Sequence, residues 1–91
     1  ARAAALLQPA IAFNHPLAFN LLGDLHARGV GVPRDDNEAF RLFTRGAALG
    51  NGDALANLGV FHMNGRAVPR DPAKAVAIWR EGADRGFPAC M

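Results

Sequence analysis

The sequence is short of reactive side chains. Its 91 residues include no Ser, no Tyr and a single Cys, Cys90, next to the last residue. One cysteine excludes an intrachain disulfide and a cysteine-rich metal site, so stability has to come from packing. Thr44 is the only aliphatic hydroxyl, and Cys90 has no orienting partner nearby in sequence, so no nucleophilic triad can be assembled. Charge of one sign is also scarce. The net charge is +2, and the basic residues, nearly all Arg, are interspersed with Asp and Glu. That leaves no electrostatic footprint for a phosphate backbone and speaks against nucleic acid as a partner. No apolar run approaches the roughly 20 residues a membrane helix needs, so membrane insertion is not expected. The Ala-rich start lacks the basic, apolar and cleavable regions of a signal peptide. Because the first residue is Ala1 rather than Met, a targeting segment can lie outside the sequence. The excess of Arg over Lys with much Ala and Gly is associated with bacterial genomes, and the compartment stays open between cytoplasm and periplasm.

What is present is 51% hydrophobic residues, dominated by Ala, with Phe, Leu and Val scattered among them. A compact globule of this length buries little of its surface, so one domain with a simple or shared core is expected. Abundant Ala suits helices in close contact better than a sandwich core of large residues, and the chain reads as all-helical.

Sliding the sequence on itself by 36 residues superposes Ala18 on Ala54, Leu22 on Leu58, Gly23 on Gly59, His26 on His62 and Gly29 on Gly65. The register then continues without a gap: Val32-Pro33-Arg34-Asp35 fall on Val68-Pro69-Arg70-Asp71, Ala39 on Ala75, Gly46 on Gly82 and Gly50 on Gly86. Such self-similarity marks a repeat array. Ala3, Leu6 and Leu7 also align with Ala39, Leu42 and Phe43. The expected organisation is therefore the second helix of a preceding repeat over residues 1–15, full repeats at 16–51 and 52–87, and the start of another at 88–91, as a piece of a longer protein.

Each repeat reads as two helices, giving about five in all. The first runs from about Leu17 to Arg28, with its copy from about Asp53 to Asn64, on three- and four-residue apolar steps. Gly29 and Gly65 stop them, and Val30-Gly31-Val32-Pro33 cannot continue a helix. The second helix opens at Asp35, with Glu38 placed to reach back as in a capping box. Its copy opens at Asp71 with Pro72 at the first helical position. Both should run about fourteen residues to Gly50 or Gly86.

The recurring Leu22-Gly23, the Gly29 to Asp35 loop, and Ala39, Phe43, Ala47 and Gly50 resemble the Sel-one-like repeat, a relative of the tetratricopeptide repeat with a 36-residue period. The resemblance covers nearly the whole chain. It implies an α/α superhelical solenoid acting as a scaffold or adaptor that binds a protein or peptide, without chemistry or cofactor of its own. The family usually has Tyr where this chain has His26 and His62; a histidine keeps a planar ring between helices but changes its hydrogen bonding. The alternative function is an enzyme-associated, hydrolase-like role, as claimed for cysteine-rich relatives, whose cysteines this chain lacks.

Stacked helix pairs generate a curved array whose first helices line a concave surface. If Gly23 and Gly59 face the second helix of their own repeat, then Asn20, Asp24, Ala27 and Arg28 project into the groove, with Ala56, Val60, Met63 and Asn64 following in the next repeat. Amide and charged groups at four-residue steps can fix a peptide backbone, and Val60 with the adaptable Met63 offers an apolar floor. The bland alternative is a solvated helix face. The open ends of the array could also pair with a second copy. His26 and His62 should lie at least the roughly 9 Å of packed helices apart and have no third ligand, so packing is expected of them rather than metal binding or acid–base work. The Gly29-Val30-Gly31 stretch is turn chemistry, since no Lys followed by Ser or Thr comes after it. Phe43 and Trp79 are expected to fill the gap between adjacent repeats, and Arg34 and Arg70 to bond loop carbonyls or neighbouring acids.

Overall fold

The computed structural model describes residues 15–90. Its regular elements are helices: α1 (Pro16–Arg28), α2 (Asp36–Ala48), α3 (Gly52–Asn64) and α4 (Pro72–Asp84), followed by a single 3-10 turn, Pro88–Cys90. Each of the four is 13 residues long. The helix expected over residues 1–15 lies outside the described residues. The first helices begin one residue earlier than their apolar periodicity suggests, α1 with Pro16 at a position where the missing N–H costs nothing.

Helix ends follow local chemistry. Gly29 takes φ 71° and Gly65 φ 69°, left-handed conformations in which their N–H groups donate to the Leu25 and Phe61 carbonyls. Two residues further along, the loop asks for a left-handed residue again. Gly31 supplies it at φ 76°, whereas Ala67 stands at the same place in the second loop with φ 62° and carries the Cβ cost of that conformation. Asp35 accepts from the Glu38 N–H at 3.1 Å, and Asp71 from the Lys74 N–H at 3.0 Å. The return half of the capping box expected from Glu38 does not form. The Asp35 N–H instead donates to the His26 carbonyl at 3.0 Å, and its copy, the Asp71 N–H, to the His62 carbonyl at 2.7 Å. With that donor satisfied, Glu38 pairs with Arg41. The loop bond serves better here, because it ties the end of each first helix to the start of the second.

Within a repeat the two helices meet at a glycine. A Cβ on Gly23 would lie 2.7 Å from the Phe43 ring, and one on Gly59 would lie 2.2 Å from Trp79 Nε1. Both glycines thus face the second helix of their own repeat. Phe19, Leu22 and Leu42 form the first repeat's core, flanked by Leu25 and Val32. A second cluster, Ala39, Phe43, Ala54 and Phe61, joins α2 to α3 across the repeat boundary. There Phe43 meets Phe61 edge to face with centroids 5.4 Å apart. Phe43 therefore serves the gap between repeats as expected. Trp79 lies on Gly59 of its own repeat, its indole N–H donating to the Ala56 carbonyl at 3.1 Å.

Candidate functional site

The stack closes on the side of the first helices. α1 and α3 approach each other, while α2 and α4 have no Cα pair within 8 Å. The first helices consequently form the inner face. Across their seam the Asn57 side-chain N–H donates to the Asn20 amide oxygen at 2.9 Å, which leaves one amide N–H of Asn57, both of Asn20 and the Asn57 oxygen with capacity for a further partner.

The residues read as a groove are distributed unevenly. Asn20 is half-buried in this seam. Asp24 and Arg28 pair at 3.2 Å, one helical turn apart, with both side chains well exposed, so the pair contributes only a few tenths of a kcal/mol. Ala27 is drawn inward against the inter-repeat cluster. On α3, Ala56 is half-buried with its carbonyl taken by Trp79, Val60 is exposed at 38%, Met63 is half-buried and Asn64 is exposed. The polar and apolar groups still offered to a partner are those of Asn20, Asp24, Arg28, Val60, Met63 and Asn64.

Two residues that the groove reading passed over hold this surface together. Asn57 occupies the place of Leu21 in the first repeat, and Arg66 the place of Val30. Arg66 Nη2 donates to the Ala27 carbonyl at 2.7 Å and to the Asp36 carboxylate at 2.6 Å, with the guanidinium 4.7 Å from the Phe61 ring centroid. One side chain of the second repeat thereby fastens both helices of the first. The Asp36 carboxyl is held below the usual carboxylate range, chiefly by the hydrogen bond from Arg66, against burial, with Arg34 assisting. The available signal was substitution of a polar residue for an apolar one at equivalent positions. Arg34 and Arg70 have the roles expected of them, Arg34 beside Asp36 and Arg70 donating to the Met63 carbonyl at 3.1 Å.

The histidines pack. His62 is 7% exposed and stands edge-on to Phe40, with centroids 5.8 Å apart. Burial pushes its imidazole below the ordinary value of 6.5; the Lys74 charge adds to this and Asp71 opposes it. The folded state thus favours neutral His62, so its contribution to stability is fully present above the unfolded value of about 6.5 and declines as pH falls towards the folded one. Urea unfolding at pH 7.5 and 5.5 should show a larger loss for wild type than for His62→Gln; equal losses would remove His62 from the account. His26 Nδ1 is enclosed without a hydrogen-bond partner. Thr44 donates to the Phe40 carbonyl at 2.8 Å, and burial raises the Cys90 thiol, so neither is presented as an activated nucleophile. Among the described residues no three of His, Cys, Asp and Glu gather into a group that could hold a metal ion, and no helix is long and apolar enough to cross a membrane.

Residues 16–51 and 52–87 each match the family model described as Sel1 repeat. The chain belongs to the Sel1 repeat family. Its Sel1 repeats superpose with a TM-score of 0.88 on the crystal structure of a Sel1 repeat protein from Oxalobacter formigenes, at 30% identity over 96% of this chain and 36% of that one. They superpose equally well, at 0.88 and 30% identity, on a protective antigen present in uropathogenic Escherichia coli strains, over 96% of this chain and 19% of the antigen. Cysteine rich protein B of Helicobacter pylori shares the fold at 22% identity with a TM-score of 0.84, over 96% and 65% of the two chains. The chain spans less than two thirds of each of these proteins. A search of curated proteins returned no match. The Sel1 repeat fold is a helical solenoid related to the tetratricopeptide repeat, typically a protein-interaction scaffold and generally non-catalytic.

Proposed function

We propose that these Sel1 repeats bind a protein or peptide along the inner face formed by α1 and α3. The observation that supports this reading is the Asn57–Asn20 seam: two amides with spare donor and acceptor capacity stand about one helical turn before Asp24 on α1 and Val60 on α3, ahead of Arg28 and the half-buried Met63. Backbone recognition by amides beside a small adaptable apolar surface suits an extended peptide. The array is further proposed to continue in a longer protein. In support, the Cys90 side chain lies against Gly82 as Ala54, in the first turn of α3, lies against Gly46.

The test uses the second repeat rewritten in the first repeat's own residues. Val60→Asp and Met63→Ala copy Asp24 and Ala27, which limits the risk to folding. Partners captured by the longest available form of the protein should bind the double variant at least about tenfold more weakly, a loss of about 1.4 kcal/mol, with unchanged helicity. Undiminished affinity would move the interaction off the inner face.

A further inference from the structure

A second surface of the molecule is built differently in its two copies. Where α3 ends and α4 begins, His62, Val68, Pro69, Arg70, Asp71 and Lys74 line an open pocket of about 260 Å³. That is below the roughly 300–1,000 Å³ of sites for drug-sized ligands, so it suits a small group or the end of a chain. His62 is more than nine-tenths buried and yet lines the pocket, and neither of its ring nitrogens hydrogen-bonds to any of the described residues. The Lys74 ammonium has no carboxylate partner among them either. Arg70 is held at the rim by the bond from its Nε to the Met63 carbonyl, with its terminal nitrogens unbonded within the described residues.

The first repeat supplies the contrast. In place of Lys74 it has Glu38, and in place of Pro72 it has Asp36, against which Arg34 is paired at 3.4 Å. The cation that the loop carries in both repeats is paired in the first, with an Asp36 that it shares with Arg66, and has no ion pair in the second, where a lysine joins it. An imidazole and two cations outside any ion pair thus surround one small pocket in which Asp71 is the one carboxylate of the lining, a set with more donors than acceptors.

We propose that this pocket binds the C-terminal carboxylate of a partner peptide whose last side chain is small and apolar. Lys74 and Arg70 face the carboxylate, His62 donates a ring N–H to it, and Val68 and Pro69 receive the side chain. A monoanion is favoured over a phosphate dianion, because Asp71 also lines the pocket and leaves the two cations with a surplus of only one charge. A chain terminus is favoured over an internal acidic residue, because it brings its charge and an apolar side chain into the same small volume. This site is separate from the inner face and does not depend on it.

Amide and imidazole NMR signals of the whole chain would be followed during titration with acetyl-Ala-Val as the free acid, as the C-terminal amide, with an amidated peptide carrying an internal Glu, and with inorganic phosphate. The free acid alone should shift the Val68 to Lys74 amides and the His62 ring saturably below about 10 mM. Lys74→Glu, which copies Glu38, should weaken this at least about tenfold without lowering the unfolding midpoint, and Val60→Asp/Met63→Ala should leave it unchanged. Any of four results would overturn the proposal: no saturable shift, equal binding of acid and amide, binding of phosphate or the internal Glu peptide as tight as that of the free acid, or indifference to Lys74→Glu. Shifts confined to Asn20, Asn57 and Val60 would overturn it too while leaving the inner-face reading intact.

Discussion

Gly59→Ala is expected to destabilise the chain by about 2–3 kcal/mol, although the same exchange in an exposed helix interior stabilises by about 1 kcal/mol. The sign reverses because the new Cβ would stand 2.2 Å from Trp79 Nε1 and 2.7 Å from Cε2. The indole cannot stay where it is, and moving it also breaks its 3.1 Å bond to the Ala56 carbonyl. Overpacking costs about 1–3 kcal/mol, and approaches of 2.2, 2.7 and 2.8 Å to one indole call for the upper part of that range, while the lost bond, about 1 kcal/mol, offsets the helix preference of Ala. For a domain under 100 residues this corresponds to a fall in Tm of roughly 8–24 °C. A double-mutant cycle separates the clash from any other cause. In a Trp79→Leu background the ring is gone, so Gly59→Ala should cost far less than in wild type and the two changes should be strongly non-additive. Urea midpoints for the four proteins decide the matter, and simple additivity would mean that the glycine is needed for something other than the indole.

This glycine belongs to the part of the structure that is legible in the repeat register alone. The overlay of Gly23 on Gly59, one period apart, already implied two equal helix pairs, whereas Trp79, expected in the gap between repeats, lies on Gly59 of its own repeat. Caps and stops were readable for the same reason: Asp35, Asp71, Gly29 and Gly65 act on backbone groups three or four residues away, a range over which sequence spacing and spatial spacing agree. The seam was not. Asn57 and Asn20 are 37 residues apart, Arg66 and Asp36 30, and Arg66 and the Ala27 carbonyl 39. Which of these meet depends on how one repeat is rotated against the next, and no rule within a repeat specifies that rotation. Asn57 and Arg66 are also positions where the copies differ, so the agreement that defines the repeat does not include them. The expected return bond of Glu38 failed for a related reason: the backbone donor it would have met is taken by His26 across the loop. The repeated positions build the helix pairs, and the unrepeated ones decide how the pairs are joined and what they offer to a partner.

Arg66 makes the strongest case for that division, and Arg66→Met is expected to cost about 2–3 kcal/mol at neutral pH. Methionine keeps the unbranched stem and its packing, so the loss isolates the guanidinium. Two bonds disappear, to the Ala27 carbonyl at 2.7 Å and to Asp36 at 2.6 Å, together with the contact over the Phe61 ring. The Arg66 and Asp36 side chains are about one-quarter exposed, so the pair is screened more than a buried one and less than a surface one. The pH dependence identifies the charged part. Asp36 is held below its usual range in the folded state, above all by Arg66, so this contribution is present above the unfolded value of about 3.9 and is lost as pH falls through the lower folded value. The stability gap between wild type and Arg66→Met should therefore narrow between pH 5 and pH 2, a window set on the order of the carboxylate titration. Unfolding should also lose cooperativity, with a smaller urea m-value, because the side chain links the second repeat to both helices of the first and solenoid stability is a sum over such interfaces. A gap that stays constant with pH would assign the effect to the Phe61 contact and the carbonyl bond, and an unchanged m-value would mean that the aromatic cluster of Phe40, Phe43 and Phe61 couples the repeats without help.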